Sequence, residues 1–506
     1  MKLNLIGHDY KYAVEQIMLA LFPNEKPVYS SDHFPCSDDP FASSVLTHGQ
    51  TYAQAITVIR CGDRVSRGLA RVRRDRLTGK LITDRLLQRI IKQSFYRAAA
   101  DHIEAPPAWG SLTGIRPASL VSAALESGTD AKSAVRTLIR EYYVSPERAE
   151  MCAAAAQSSL SLKKTLSRGD IALYIGVPFC PTRCAYCSFV SNSVEKSFGL
   201  IEPFVKTLLS EIEGAAVCAQ ELGQRVVSVY IGGGTPTALP SEALEAIMSA
   251  LNKSFDLSSV REYTVEAGRP DTITDQKLDI IVKMGAGRVC VNPQSMSGDV
   301  LSAIGRKHSP EDILDAAKLV RNRGAALNMD IIAGLPCDTP EGFRNTLDTV
   351  MKLGPENVTV HTLSLKKGSR IMLEGTAIPS GADVGKMLEI AAHRLRENGF
   401  RPYYLYRQKF TSGGFENTGW SLPGYEGIYN ICMMEELCTV LALGGGGVTK
   451  LVSGGRIERV FNAKYPREYI MRADKLESKY DRIRRFFTCV ATPALPVLED
   501  ELAGGE

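Results

Sequence analysis

The chain has 506 residues, 44% of them hydrophobic and 23% charged, with a formal net charge of +4. That is room for two or three ordinary globular domains at ~100–200 residues each. The charge is too mild to argue for nucleic acid, no long basic run occurs, and no stretch reaches the ~18 apolar residues of a membrane span.

The opening residues, Met1 to Asp9, lack the apolar run of a secretory signal. Nine of the cysteines (Cys36, Cys61, Cys152, Cys218, Cys290, Cys337, Cys432, Cys438 and Cys489) are scattered without framework spacing. Both features are expected of a cytoplasmic protein with reduced thiols buried as small apolar side chains.

Residues 1–165 read as an N-terminal α+β domain. Lys2–Ile6 is expected to be a strand and Tyr12–Phe22 an amphipathic helix stopped by Pro23. Thr51–Cys61 is β-branched and alternates, so it predicts a strand. Thr83–Ala100, Ala131–Tyr143 and Pro146–Leu166 predict helices, the last with Ser145 as N-cap ahead of a proline at its first position. Two short stretches carry no structural label, Asp32-His-Phe-Pro35 and Trp109-Gly-Ser-Leu-Thr-Gly-Ile-Arg-Pro117. Trp109 and Arg116 are the kind of pair that binds an acidic aromatic ligand, although a packed turn before a helix accounts for them equally simply.

From Ile171 the rhythm changes. Strands are predicted at Ile171–Val177, Arg225–Ile231, Glu262–Glu266, Arg288–Asn292, Ala326–Ile332 and Val358–Leu363. Helices are predicted between them at Ile201–Leu222, Ser241–Leu251, Thr274–Met284, Pro310–Arg323 and Thr339–Leu353. Units of about thirty residues make βαβ crossovers and a parallel sheet. Past Pro379 a helix, Val384–Asn398, leads to a strand, Tyr403–Gln408. A last helix is expected near Asp474–Phe487, and the Pro- and acid-rich residues 491–506 are expected to be disordered.

The chemistry lies just past the first of these strands, in Cys180-Pro-Thr-Arg-Cys184-Ala-Tyr-Cys187. Loops beyond strand ends are where barrels and open sheets keep their sites. Three thiols this close can converge on one metal centre. Tetrahedral zinc wants four ligands, and no histidine lies between Cys180 and His308. Three thiolates on a four-iron cluster would leave one iron open to a ligand. The alternatives are three buried structural thiols, or a disulfide plus one.

Spacing C-x3-C-x2-C after a strand, with Tyr186 before the last Cys, resembles the radical S-adenosylmethionine (radical SAM) enzymes. The longer string from Tyr174 through Pro178 and Phe179 to Cys187 resembles the branch holding oxygen-independent coproporphyrinogen III dehydrogenase, and within it the HemZ-type members with their extra N-terminal region. The resemblance implies a partial (β/α)6 barrel over 166–375, a substrate-capping region over 376–490, and a [4Fe-4S] cluster on Cys180, Cys184 and Cys187. It implies S-adenosylmethionine as co-substrate. Phe179 and Tyr186 would shield the cluster, and Tyr174 joins them among the expected cofactor contacts, with ordinary packing the alternative for all three. Gly233, Gly234 and Thr235, in Gly232-Gly-Gly-Thr-Pro236, would contact the methionine moiety, the glycines also offering backbone amides to an anion. Glu266 would hold its ammonium, Arg306 its carboxylate, and Gln294 and Asp330 the ribose.

Three departures from the family pattern stand out. Gly176 replaces a usual His, Phe189 replaces an extra Cys, and Glu266-Ala-Gly-Arg-Pro270 is one residue longer than Glu-x-x-Pro. The Gly444–Gly447 run resembles the family's Gly-rich turn.

The implied reaction uses a 5′-deoxyadenosyl radical to turn two propionates of coproporphyrinogen III into vinyl groups, giving protoporphyrinogen IX, with an electron donor such as flavodoxin or ferredoxin. Propionates call for basic groups. The expectation is Arg183, Lys366 or Lys367, and Arg407, since strand alternation puts Tyr403, Leu405, Arg407 and Lys409 on one face. The rivals are another radical reaction on a tetrapyrrole, a haem-binding chaperone of the same branch, and a zinc-bearing structural protein.

Overall fold

The computed structural model describes residues 1–30, 39–187, 192–366, 368–408 and 411–488. Asp32–Pro35, Cys36, Phe189, Lys367, Lys409, Cys489 and the 491–506 tail, all named above, lie outside the described residues.

The first 99 residues build one core. Five strands run in the order Val28–Tyr29, Lys2–Ile6, Phe41–His48, Tyr52–Cys61, Arg64–Arg73. Tyr52–Cys61 alternates buried and half-buried residues, as a strand with one covered face must. Its covered residues pack with Ile17, Ile90 and Phe95 of two helices, Lys11–Leu21 and Gly79–Ala99. The three helices that follow, Ala118–Glu126, Ala131–Tyr142 and Pro146–Thr165, belong elsewhere: their apolar faces join the core of the second sheet. Trp109 anchors this join. It is 2% exposed, and its indole N–H donates to Glu416 Oε2 at 2.7 Å. Arg148 Nε donates to the other oxygen at 3.1 Å.

The second sheet holds six parallel strands in succession: Asp170–Val177, Arg225–Gly233, Glu262–Glu266, Arg288–Cys290, Ala326–Ala333 and Asn357–Thr362. Helices between them start on side-chain caps, such as Thr274, Thr339 and the Ser309–Asp312 capping box. This is the expected partial-barrel arrangement of alternating strands and helices, and among the described residues no pairing joins the sheet's two edge strands, Arg401–Arg407 and Arg456–Phe461.

Residues 376–488 extend the sheet at both edges. Glu416–Ser421 and Arg401–Arg407 add antiparallel beyond the sixth strand. Thr439–Gly444 adds parallel beside the first, followed by the hairpin Val448–Ser453 and Arg456–Phe461. That parallel strand explains Gly176: a Cβ there would sit 2.7 Å from the Gly445 carbonyl. The helix Ile428–Glu435 closes the end where the strands begin, its Tyr429 N–H donating to Glu262 Oε2 at 2.7 Å. Arg288 and Asn357 both donate to the Tyr425 carbonyl at 2.7 Å just before it. Of the region expected to cap a substrate, residues 425–435 thus plug the end where the strands begin, while Tyr403, Tyr404, Tyr406 and Gln408 line the interior.

Candidate functional site

The barrel lumen is a cavity of about 450 Å³ running from the cysteine loop to the Tyr429 plug. Cys180, Cys184 and Cys187 all line it. Their loop is pinned on both sides, with Ala185 N–H donating to the Ile304 carbonyl at 2.9 Å and Ile371 N–H to the Ala185 carbonyl at 3.3 Å. Among the described residues no three Cys, His, Asp or Glu side chains converge as for a single ion. Three thiols lining one cavity suit a group wide enough to meet each separately.

The second, third, fourth and fifth strand ends bring their predicted residues to the same wall: Gly233, Gly234 and Thr235, then Glu266, Gln294 and Asp330. Tyr174, Tyr186 and Arg306 join them. Gly233 needs its φ of +104°, and a Cβ on Gly234 would lie 2.4 Å from the Phe179 carbonyl. The expectation that the glycine amides point at an anion fails for Gly234. Gly234 N–H donates to Val177 O and Thr235 N–H to Phe179 O, both at 2.7 Å, tying the turn to the cysteine loop. Thr235 Oγ1 lies 3.5 Å from Cys180 Sγ.

Burial pushes the Glu266 carboxyl up to about 7; the Tyr230 hydroxyl, donating at 2.6 Å, pulls against that rise and Asp330 adds to it. Burial would raise Asp330 too, but His361, with Nε2 3.7 Å away, outweighs it and holds Asp330 below its ordinary range. Burial opposes charge on His361, and Asp330 overcomes it, so the imidazole titrates higher than usual. Arg306 donates to the Gly268 and Asn292 carbonyls at 3.0 and 2.6 Å and to the Tyr186 hydroxyl at 3.2 Å. Burial disfavours its charge, and the Tyr186 and Cys184 groups more than offset this.

Five buried polar atoms of lumen-lining residues have no hydrogen-bond partner: Gln294 Oε1, Asn292 Oδ1, Arg306 Nε, Asn417 Nδ2 and, near the plugged end, Arg288 Nε. Leaving such atoms bare is costly. Donors and acceptors together fit a ligand carrying ammonium, carboxylate and hydroxyl groups, and the three thiols fit a cluster. Gln294 is also held at a φ of +65°, a backbone conformation sparse for any residue but glycine.

Not every expected residue comes to the lumen. Phe179 is fully buried behind the loop, edge-to-face with Phe204 at 5.2 Å. Arg183 is exposed, its Nη2 donating to the Gly368 carbonyl at 3.2 Å. Lys366 lines the cavity mouth. Arg407 is a correction. A register shift between Pro402 and Tyr404 breaks the assumed alternation, and Tyr403, Tyr404, Tyr406 and Gln408 line the lumen. Arg407 turns away, donating to the Leu112 and Gly414 carbonyls with Trp109 beneath it at 5.3 Å. Burial lowers its guanidinium to about 10.

Sequence reasoning passed over Arg269 and His361. His361 stands at the end of the sixth strand, where the habit of the other five strand ends would have found it. Arg269 lies in the stretch after Glu266 that is one residue longer than the family pattern. It is 2% exposed, clamped by Asp271 at 3.1 and 3.2 Å, and its Nη1 lies 3.1 Å from Thr182 Oγ1 and 3.8 Å from Cys184 Sγ. A cationic donor on a ligating sulfur favours the reduced, more negative cluster. Arg269→Ala is expected to lower the midpoint potential of the bound cluster by about 60 mV, the one-electron equivalent of a ~1.4 kcal/mol hydrogen bond. Arg269→Lys should retain part of the shift, read by potentiometric titration.

Residues 174–350 match the family model described as the radical SAM superfamily. Over 369 residues the chain is 38% identical to the oxygen-independent coproporphyrinogen-III oxidase-like protein HemZ of Bacillus subtilis, covering 71% of this chain and 74% of that one. The chain belongs to the HemZ family of radical SAM proteins. Its HemZ-type sequence is also 26% identical to the haem chaperone HemW of Escherichia coli, over 62% of this chain and 78% of that one. The solved structure of E. coli coproporphyrinogen III oxidase, HemN, superposes with a TM-score of 0.51 at 21% identity, covering 63% of this chain and 72% of that one, and so shares the fold. A radical SAM protein uses a [4Fe-4S] cluster and S-adenosylmethionine. Among the described residues no helix of this HemZ-family chain is long and apolar enough to cross a membrane.

Proposed function

We propose that this protein carries out the oxygen-independent oxidative decarboxylation of coproporphyrinogen III to protoporphyrinogen IX, a cytoplasmic step of haem biosynthesis. One observation carries the reading: the three thiols, Glu266, Arg306, Gln294 and Asp330 share one lumen with a mouth at Lys366. The cluster and S-adenosylmethionine, when bound there, supply hydrogen-atom abstraction. The chain's own residues do the rest. Cys180, Cys184 and Cys187 hold the cluster. Glu266 takes the methionine ammonium, Arg306 the carboxylate through its unpartnered Nε, and Gln294 and Asp330 the ribose. Tyr404 and Tyr406 wall the space left for a macrocycle, and Lys366 meets a propionate. For each propionate a hydrogen atom is lost, the carboxylate leaves as carbon dioxide, and one electron passes to an external acceptor. A flavodoxin or ferredoxin is the proposed donor for cluster reduction.

A second reading, haem binding as in a chaperone, is favoured by the likeness to HemW and by the turning away of Arg407, which leaves Lys366 as the one expected propionate ligand in the described lumen wall. An anaerobic assay of reconstituted, reduced protein with S-adenosylmethionine and coproporphyrinogen III separates the two. A two-vinyl product with stoichiometric 5′-deoxyadenosine is expected. Deoxyadenosine without vinyl product, together with haem bound tighter than micromolar, would overturn the decarboxylation.

A further inference from the structure

A second cleft, of about 930 Å³, opens behind the helix that plugs the lumen. Met434 lines the lumen, while the next two residues, Glu435 and Glu436, line this cleft. Its other walls are the helices Gly79–Ala99 and Ala118–Glu126, the turn at Gly454 and Gly455, and the loop with Thr113, Gly114 and Arg116. It therefore lies where the N-terminal domain meets the large sheet, and it absorbs the half of the Trp109–Pro117 motif that Trp109 packing does not explain.

Arg85 and Arg89 stand four apart on their helix, so they share a face. Neither makes an ion pair among the described residues, and Arg89 Nε is buried without a hydrogen-bond partner. Ser122 Oγ and Glu435 Oε1, on the same walls, are likewise buried and unpartnered. By contrast Arg116 is held by Glu436 at 2.6 Å and Lys163 by Glu126 at 2.5 Å. Leu81, Leu120 and Leu160 supply apolar wall between the charges. Two adjacent guanidinium forks want planar anions, the leucines want an apolar frame, and the volume admits a molecule of cofactor size. Of the side chains that ligate haem iron, only Tyr142 lines the cleft, so an iron-free ring fits better than haem.

We propose that this cleft is a second binding site, for an organic polyanion on an apolar frame, and that its ligand is an iron-free tetrapyrrole held by propionates on Arg85 and Arg89. The choice of tetrapyrrole rests on the function proposed above. The binding site itself does not.

Fluorescence titration of the reconstituted full chain with coproporphyrin III, a stable tetracarboxylate, tests it. Two equivalents are expected per chain. The double variant Arg85→Glu/Arg89→Glu should bind one, and should form deoxyadenosine from S-adenosylmethionine at the unaltered rate. If that variant does not fold, Arg89→Gln carries the test, with about tenfold weaker binding at one of two sites expected. Unaltered stoichiometry and affinity in these variants overturns the second site and leaves the lumen reading standing. Loss of one equivalent in the variants, with no vinyl product from the parent protein, keeps the cleft and overturns the lumen substrate. Displacement of the cleft-bound porphyrin by inorganic phosphate at equal concentration overturns the tetrapyrrole as its ligand.

Discussion

Cys184→Ala is expected to leave a folded chain with almost no bound iron or sulfide, and to cut 5′-deoxyadenosine formation by at least about 10³-fold. Side chains do not supply the strongly reducing electron that cleaves the sulfonium of S-adenosylmethionine, so none compensates for a lost cluster. The substitution removes one sulfur from a loop whose backbone is fixed from outside, by Ile304 and Ile371. The fold therefore has little reason to yield, and the melting temperature should stay within a few degrees. Cys152→Ala makes the contrast. Cys152 is fully buried among helices, where burial raises its thiol well above the ordinary range and keeps it protonated. It should cost stability of order 1 kcal/mol from the small cavity and leave iron content and turnover alone. Iron analysis, a melting curve and the deoxyadenosine assay on both variants check the pair. Iron retained in Cys184→Ala would refute its place as a ligand.

Sequence revealed the residues whose spacing is itself the chemistry. The family resemblance named the cysteine loop and Glu266, Gln294 and Asp330, and the βαβ period puts these on or just beyond successive strands of one parallel sheet, which brings them to one lumen. Strands paired through distant parts of the chain were less legible. Thr439–Gly444 lies beside Asp170–Val177, more than 260 residues earlier, and nothing local announces that partnership. Gly176 was the one trace of it, read as a missing histidine when it marks the close approach of that strand. Arg407 was misread because alternation assumes an unbroken register, and the shift at Pro402 breaks it. Arg269 went unnoticed inside a segment marked only as one residue longer than the family pattern. Its role shows once folding sets its guanidinium between Asp271 and the cysteine loop.

Glu266→Gln should weaken S-adenosylmethionine binding by about 10–100-fold at pH 8, the worth of one hydrogen-bonded charge pair in a dry site, with a loss that shrinks as pH falls. The carboxyl titrates at about 7 because burial disfavours its charge. Above that pH it is ionised and ready for an ammonium; below it a bound cation must first displace a proton. Affinity of the parent protein therefore falls as pH drops through about 7, by at most tenfold per unit, whereas the Gln variant, with no proton to displace, should show no such step. Stability runs the other way. A carboxyl raised from 4.5 to about 7 is protonated in the native state while the unfolded chain has already released its proton. Native stability is thus lost as pH rises across that window, by on the order of 3 kcal/mol once both forms are ionised. The neutral Gln escapes this loss, so at pH 8 the ligand-free variant should unfold at a higher temperature than its parent while binding its ligand more weakly. Isothermal titration and melting curves at pH 6 and 8 read both effects. A variant that bound more weakly and also melted lower at pH 8 would show that Glu266 is structural, because the gain in stability is what a site held ready for a cation predicts.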